Sequence, residues 1–272
     1  MKPKWDISGI FRILILLLFS VLIGSGNRIS SASETYIPFQ PGEKFTFILK
    51  WGVVPAGEAS LEVKELDNIM GVDAYHFVLK ARSNGFFDFF FKVRDHVDSY
   101  TDTEMNHSLY YKKDQLEGKT QRNIRVHFDW ENNEAEYNFI NRKRGKISLL
   151  PGTFDPLAIF YYSRTLDMRD RNEFERPVTD GSKNMLGKLR IKGREKITVA
   201  AGTFETLLLE PDLQGVDGVF SKKKRAKILI WVTDDDSKLP IKLKSKAKVG
   251  SFVAELVAIQ GSEEMLTSTM FQ

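Results

Sequence analysis

Lys44-Phe45-Thr46-Phe47-Ile48-Leu49-Lys50-Trp51 places bulky apolar side chains at every second position: Phe45, Phe47, Leu49 and Trp51 share one face, and Lys44, Thr46 and Lys50 share the other. Ile48 is the exception. A period of two is the repeat of a pleated strand with one dry side. Downstream, Pro55-Ala56-Gly57 turns the chain, and Glu58–Leu66 sets Ala59, Leu61 and Val63 against Ser60, Glu62 and Lys64. After a turn at Asp67-Asn68 and Gly71, Tyr75, Phe77, Leu79 and Ala81 form a third apolar row. Three strands joined by short turns make an antiparallel meander.

The rhythm runs on through Phe89–Thr103, one long strand or two joined by a kink, then Leu109–Lys113, Thr120–Trp130 and Glu134–Ile140, with a hairpin turn at Glu131-Asn132-Asn133. It resumes in Met185–Val199, Phe204–Glu210, Ala226–Thr233, Leu239–Val249 and Ser251–Ile259. One helix signal interrupts it. Asp155 is a good N-cap, Pro156 suits a first helical position, and Leu157–Arg164 follows. The expected fold is all-β, a large curved antiparallel sheet or half-open barrel with one short helix laid across an open end or face. It forms a single domain over residues 34–262, followed by a C-terminal tail at 263–272.

The first 33 residues are of another kind. Lys2, Lys4 and Arg12 precede the apolar run Ile13–Gly24, and small residues follow up to Ser30-Ser31-Ala32-Ser33. That is the pattern of a secretory signal, with cleavage expected after Ala32 or Ser33 and a periplasmic destination. A dozen apolar residues are short for a bilayer span, so no stable transmembrane segment is expected after cleavage; an uncleaved anchor is the competing reading. Lys2, Lys4, Arg12 and Arg28 against Asp6 hold three of the four net positive charges of the chain. The remainder is nearly neutral and has no general field to collect phosphates, which excludes nucleic acid as a global partner. The 272 residues contain no cysteine, so disulfides, thiolate metal sites and a cysteine nucleophile are excluded as well.

Three stretches are candidates for function. Phe86-Phe87-Asp88-Phe89-Phe90-Phe91 holds five of the 20 phenylalanines. Read as a strand, it points Phe87, Phe89 and Phe91 one way and Phe86 and Phe90 the other. Burying each ring is worth roughly 1.5–3 kcal/mol, so either both faces are covered, or one lines a cavity for an apolar ligand or meets a partner. His96-Val97-Asp98 and His127-Phe128-Asp129 each put an imidazole and a carboxylate on one strand face, as a metal site would need. Each also reads as an ordinary polar face beside Arg94 or Arg125, and no metal is assigned. Lys222-Lys223-Lys224-Arg225 could attract anionic headgroups, but it equally fits a solvated hairpin loop guarding an edge strand. The same holds for Arg142-Lys143-Arg144 before Gly145, read as a turn. There is no Gly-x-Ser-x-Gly elbow, phosphate loop, dinucleotide fingerprint or His-Glu-x-x-His, so no catalytic residue or cofactor is assigned.

Gly42-Glu43-Lys44 leading to Trp51-Gly52, then Pro55-Ala56-Gly57-Glu58-Ala59, resembles the opening of a bacterial exported family called domain of unknown function 3108. Later segments are similar in the same order: Phe91-Lys92-Val93-Arg94-Asp95 with Ser99-Tyr100, Asp155-Pro156-Leu157 with Tyr162, Ala201-Gly202-Thr203-Phe204, Ile230-Trp231-Val232 with Asp234-Asp235, and Leu239-Pro240. The resemblance spans roughly residues 36–260. It implies a β-rich exported protein and carries no catalytic residues with it.

The expected function is therefore a non-enzymatic periplasmic binding protein. Its sheet and helix would hold an apolar or amphipathic ligand such as a lipid, lined by Phe45, Phe47, Trp51, Phe87, Phe89, Phe91 and Phe160. The alternative is an envelope scaffold or assembly factor with a filled core that binds another protein. A hydrolase is the third reading, to be revived by a concave polar cluster with His96 or His127 in reach of a carboxylate.

Overall fold

The computed structural model describes residues 36–139, 143–212, 227–247 and 250–261. The leader at 1–33, Arg142, the Lys222–Arg225 cluster and the 263–272 tail lie outside them. Strand β1 (Lys44–Trp51) is flanked by β2 (Val54–Val63) on one side and by β15 (Gly250–Gln260) on the other. From β2 the sheet continues in chain order through β4 (Val72–Ser83), β5 (Val93–Asp102), β6 (Ser108–Glu117), β7 (Thr120–Asp129) and β8 (Glu134–Phe139) to an edge at β9 (Lys143–Ser148). The short β3 (Asp67–Ile69) pairs with β4 alone. On the other flank β15 leads through β14 (Pro240–Ala247), β13 (Lys227–Thr233), β12 (Gly202–Asp212) and β11 (Asn184–Val199) to the second edge, β10 (Glu173–Thr179). Every ladder is antiparallel, so the fold is two meanders joined where the first strand meets the last.

The sheet does not close into a barrel. Its edges β9 and β10 are spanned instead by the chain between them. Phe154 donates to Pro177 at 3.0 Å and accepts from Thr179 at 2.9 Å, in one parallel bridge. Helix α2 (Ala158–Arg164) follows at once and packs against the inner face. Asp155 is its anchor, as the sequence suggests. The carboxylate accepts from the N–H groups of Leu157 and Ala158 and from the hydroxyls of Ser99 and Ser108, tying the helix start to β5 and β6.

The pleat puts Phe45, Phe47 and Leu49 inside, each at most 6% exposed, and the same alternation crosses the sheet. One inner row reads Phe45, Leu61, Leu79, Val97, then Lys113 and Ile124; the next reads Phe47, Ala59, Ala81, then Asp95, Gln115 and Arg122. Gly57 is needed where β2 meets β4, because a Cβ there would lie 2.1 Å from the carbonyl oxygen of Arg82.

Three sequence expectations are corrected. Phe86–Phe91 is not a strand but most of a second helix, α1 (Gly85–Phe91), so Phe89–Thr103 is neither one long strand nor two joined by a kink, and β5 begins at Val93. Asn84 decides this, its side chain accepting from the Phe87 N–H at 3.0 Å as an N-cap. Positions four apart then stack on one side: Phe87 and Phe91 are buried, while Phe86 and Phe90 meet edge to face at 5.5 Å. Lys143, Arg144 and Gly145 belong to edge strand β9 rather than a turn. Edge strand β10 (Glu173–Thr179), absent from the sequence reading, carries little alternation of its own.

Candidate functional site

Between the inner face and α2 lies a partly open cavity of about 120 Å³. Its sheet wall is Phe47, Leu49, Ala59, Leu61, Leu79, Val97 and Tyr111 on one flank and Ile230, Leu243 and Ala254 on the other; Pro156, Leu157 and Phe160 form the roof. The lining is almost wholly apolar. That space is comparable to the roughly 150 Å³ that suffices for a benzene-sized guest, and it falls short of the roughly 300–1,000 Å³ of sites that engulf a whole ligand.

The roof is pinned by a buried charge. Arg164, at the end of α2, is 1% exposed and forms a two-pronged ion pair with Glu43, itself fully buried, one prong at 2.9 Å. Its remaining donors reach the carbonyl oxygens of Pro38 at 3.0 Å and Ser237 at 3.1 Å, and its guanidinium lies 5.4 Å from the centre of the Phe45 ring. β1 therefore runs from this anchor, at Glu43, to Trp51 at the opposite end, where the Trp51 ring meets Phe87 of α1 edge to face at 6.1 Å.

Beside the apolar wall the inner face turns polar. Lys113, cross-strand from Val97, is 3% exposed; Asp95 and Gln115 are 5% and 2% exposed. Gln115 donates to Asp95 at 3.4 Å, the Leu116 N–H donates to it at 3.1 Å, and Arg122 donates to Gln115 at 3.2 Å. Burial pushes the Asp95 carboxyl up to about 6, against the pull of Lys113 and these hydrogen bonds. Burial likewise lowers the Lys113 ammonium.

The outer face carries a second concavity, a polar groove of about 510 Å³ with His96 on its wall. His96 and His76 both place Nε2 on one carboxylate oxygen of Asp98, at 3.2 and 3.0 Å, and the Lys112 ammonium lies 3.4 Å from the other oxygen. Burial alone would raise Asp98, but the His76 hydrogen bond and the charges of His96 and Lys112 outweigh it and hold the carboxyl well below the usual range. The geometric condition set for a hydrolase, a histidine in reach of a carboxylate on a concave surface, is thus met at His96. A triad needs more: the base must be bonded to a nucleophile. Among the described residues none of the histidines bonds to a hydroxyl. His127 lies apart, against Met70. Among the described residues no group of three or more His, Asp or Glu is placed to hold a metal ion.

The seven aromatic residues read from the sequence divide by place. Phe47 and Phe160 line the cavity. Phe45 is packed solid beside it, with no exposure. Trp51, Phe87 and Phe91 sit at the far end: the Trp51 ring stacks over Phe252, and Phe91 packs on the turn at Gly118. Phe89 points outward, 86% exposed. The sequence reading missed Leu49, Leu61, Leu79, Val97, Tyr111, Leu157, Ile230, Leu243 and Ala254, which form most of the lining. Their signal was the alternation itself, once neighbouring strands are laid side by side.

No helix among the described residues is long and apolar enough to cross a membrane. No curated protein matches the sequence. Among solved structures, a β-barrel-like protein of domain of unknown function DUF1849 from Brucella abortus is similar over 81% of this chain and 97% of its own, at 8% identity and a TM-score of 0.53. That likeness extends to the fold alone. A candidate lipoprotein from Parabacteroides distasonis covers 84% of this chain and 100% of its own, at 11% identity and a TM-score of 0.30. A candidate exported protein with a YmcC-like fold from Bacteroides fragilis covers 84% and 99%, at 8% identity and a TM-score of 0.29. The model of DUF3108, proteins of unknown function, matches residues 46–257, from the third residue of β1 into β15, and the chain belongs to that family.

Proposed function

We propose that this chain is an exported, periplasmic, non-enzymatic binding protein that holds the apolar end of an amphipathic molecule, a lipid or fatty acid, between its sheet and α2. The observation that carries the reading is the cavity of about 120 Å³ walled by aliphatic and aromatic side chains. Native interiors leave few such voids, since a buried methylene-sized gap already costs about 1 kcal/mol. A hollow under a helix held in place by Arg164 is therefore best read as a space reserved for a guest. Its size suits the last carbons of a chain. Phe47 and Phe160 contact that chain, and Asp95, Lys113 and Gln115 offer polar partners on the adjoining rows. The basic leader and apolar run of the first 33 residues support export.

The test is occupancy. An apolar fluorophore or a fluorescent fatty acid brightens on entering the cavity and is displaced by unlabelled fatty acid. Ala59→Phe fills the hollow with a ring about as large as the guest it fits. The expected result is loss of the fluorescence gain with a melting temperature within a few degrees of the wild type. Equal uptake by Ala59→Phe and wild type would move the ligand elsewhere on the molecule.

A further inference from the structure

The end of the sheet opposite α2 carries an apolar surface that water should not be left to cover. On α1, Phe86, Phe89 and Phe90 are 66%, 86% and 59% exposed. The β1–β2 turn lies alongside, with Val53 89% exposed. It is fixed there by Asn84, which donates from its side chain to Pro55 at 2.8 Å and from its backbone to Ala56 at 2.9 Å. The β6–β7 turn lies on the other side, where Gly118 donates to Lys92 at 2.8 Å. That brings Lys119 beside Lys92, both exposed.

We infer that α1 and its two flanking turns are a docking surface for an anionic phospholipid bilayer. Charge points to that occupant. The acids of this end are spoken for: Asp88 is held by Arg94 at 3.0 Å and by the Ser83 hydroxyl, Glu58 by Arg82 at 2.7 Å, and Glu117 is fully buried. Lys92 and Lys119 have no acidic partner within ion-pair distance among the described residues, so the free charge around the rings is positive. Area argues against a second copy of the chain: the three rings expose on the order of 400 Å². A stable protein interface takes about 800 Å² from each partner. Shape agrees, because Phe89 stands out from the middle of a two-turn helix and a fluid surface accepts a protrusion without a matching groove. Rings inserted at headgroup depth with cations beside them are the usual means by which a protein lies on a membrane. The purpose of the docking, passing a chain between bilayer and cavity, rests on the proposed function; the surface itself does not.

The experiment is co-sedimentation of the processed chain with vesicles of phosphatidylcholine alone and of phosphatidylcholine mixed with phosphatidylglycerol. The wild type is expected to bind the mixed vesicles, more weakly as salt rises. Phe86→Ser/Phe89→Ser/Phe90→Ser should weaken that binding about a hundredfold. Lys92→Glu/Lys119→Glu should weaken it at least about thirtyfold and remove the salt dependence. The changed residues are exposed, so an unaltered melting temperature certifies each variant as folded. Failure of the wild type to bind the mixed vesicles, or equal binding by the triple variant, overturns the inference. So does a dimer in light scattering that the triple variant dissolves. The triple variant should still take up the apolar fluorophore. A wild type that sediments with vesicles and takes up no fluorophore would leave the docking surface standing and remove the cavity reading alone.

Discussion

Arg164 and Asp95 are the two residues whose burial most needs explaining, since a charge taken from water into a core is costly unless its partners are complete. For Arg164 they are: one carboxylate, two carbonyl oxygens and the face of Phe45. Removing the carboxylate leaves the cation stranded, so Glu43→Ala should cost about 3–5 kcal/mol in chemical denaturation. Replacing both partners, Glu43→Leu with Arg164→Met, should cost less than either single change; a double variant weaker than both singles would deny that the pair is desolvated as described. Asp95 is the opposite case, with its folded value near 6 against about 3.9 in an unfolded chain. The folded state then binds the proton more tightly. Its contribution to stability is full below about pH 4 and is lost as pH rises through about 6. Asp95→Asn should flatten the fall in melting temperature between those pH values and be more stable than wild type at pH 7, by up to about 3 kcal/mol. An unchanged slope would place the Asp95 proton on solvent terms in both states.

At the scale of elements, the strands were legible and the helical end was not. Alternation located β1, β7 and β11 almost to the residue, because each has one face against the core and one in water, and only a period of two meets that condition. It misled at Phe86–Phe91, where five rings in six positions satisfy strand and helix alike. The deciding signal was the preceding Asn84-Gly85, a cap, together with the rings at four-residue spacing. Asn84→Ala should therefore cost about 1 kcal/mol and lower the melting temperature by about 2–4 °C. No change in melting would mean that the burial of Phe87 and Phe91, not the cap, holds α1. Edge strands β9 and β10 escaped notice because an edge strand shares less of the core and shows less pattern. Of the site, the sequence showed Phe47, Phe160 and the helix over the sheet. It could not show the aliphatic wall, which depends on register between strands far apart in sequence, such as Leu49 opposite Ala254.

For the molecule as a whole, the open sheet has a consequence. Two meanders joined at β1 and β15 curve round a common interior, yet among the described residues β9 and β10 do not pair, and the gap is bridged by Phe154 on β10 and by the Asn184 side chain donating to the Ser148 carbonyl, with α2 behind them. The interior is filled at the Arg164 end and at the Trp51 end, and hollow between. One measurement tests that directly: native mass spectrometry of the processed wild-type protein purified from cells without detergent, followed by organic extraction. The expected result is a bound species that organic solvent releases as an amphipathic molecule with an apolar chain, and its absence from Ala59→Phe. Wild-type protein that flies at the mass of the polypeptide alone, and takes up no fatty acid when it is offered, would contradict it.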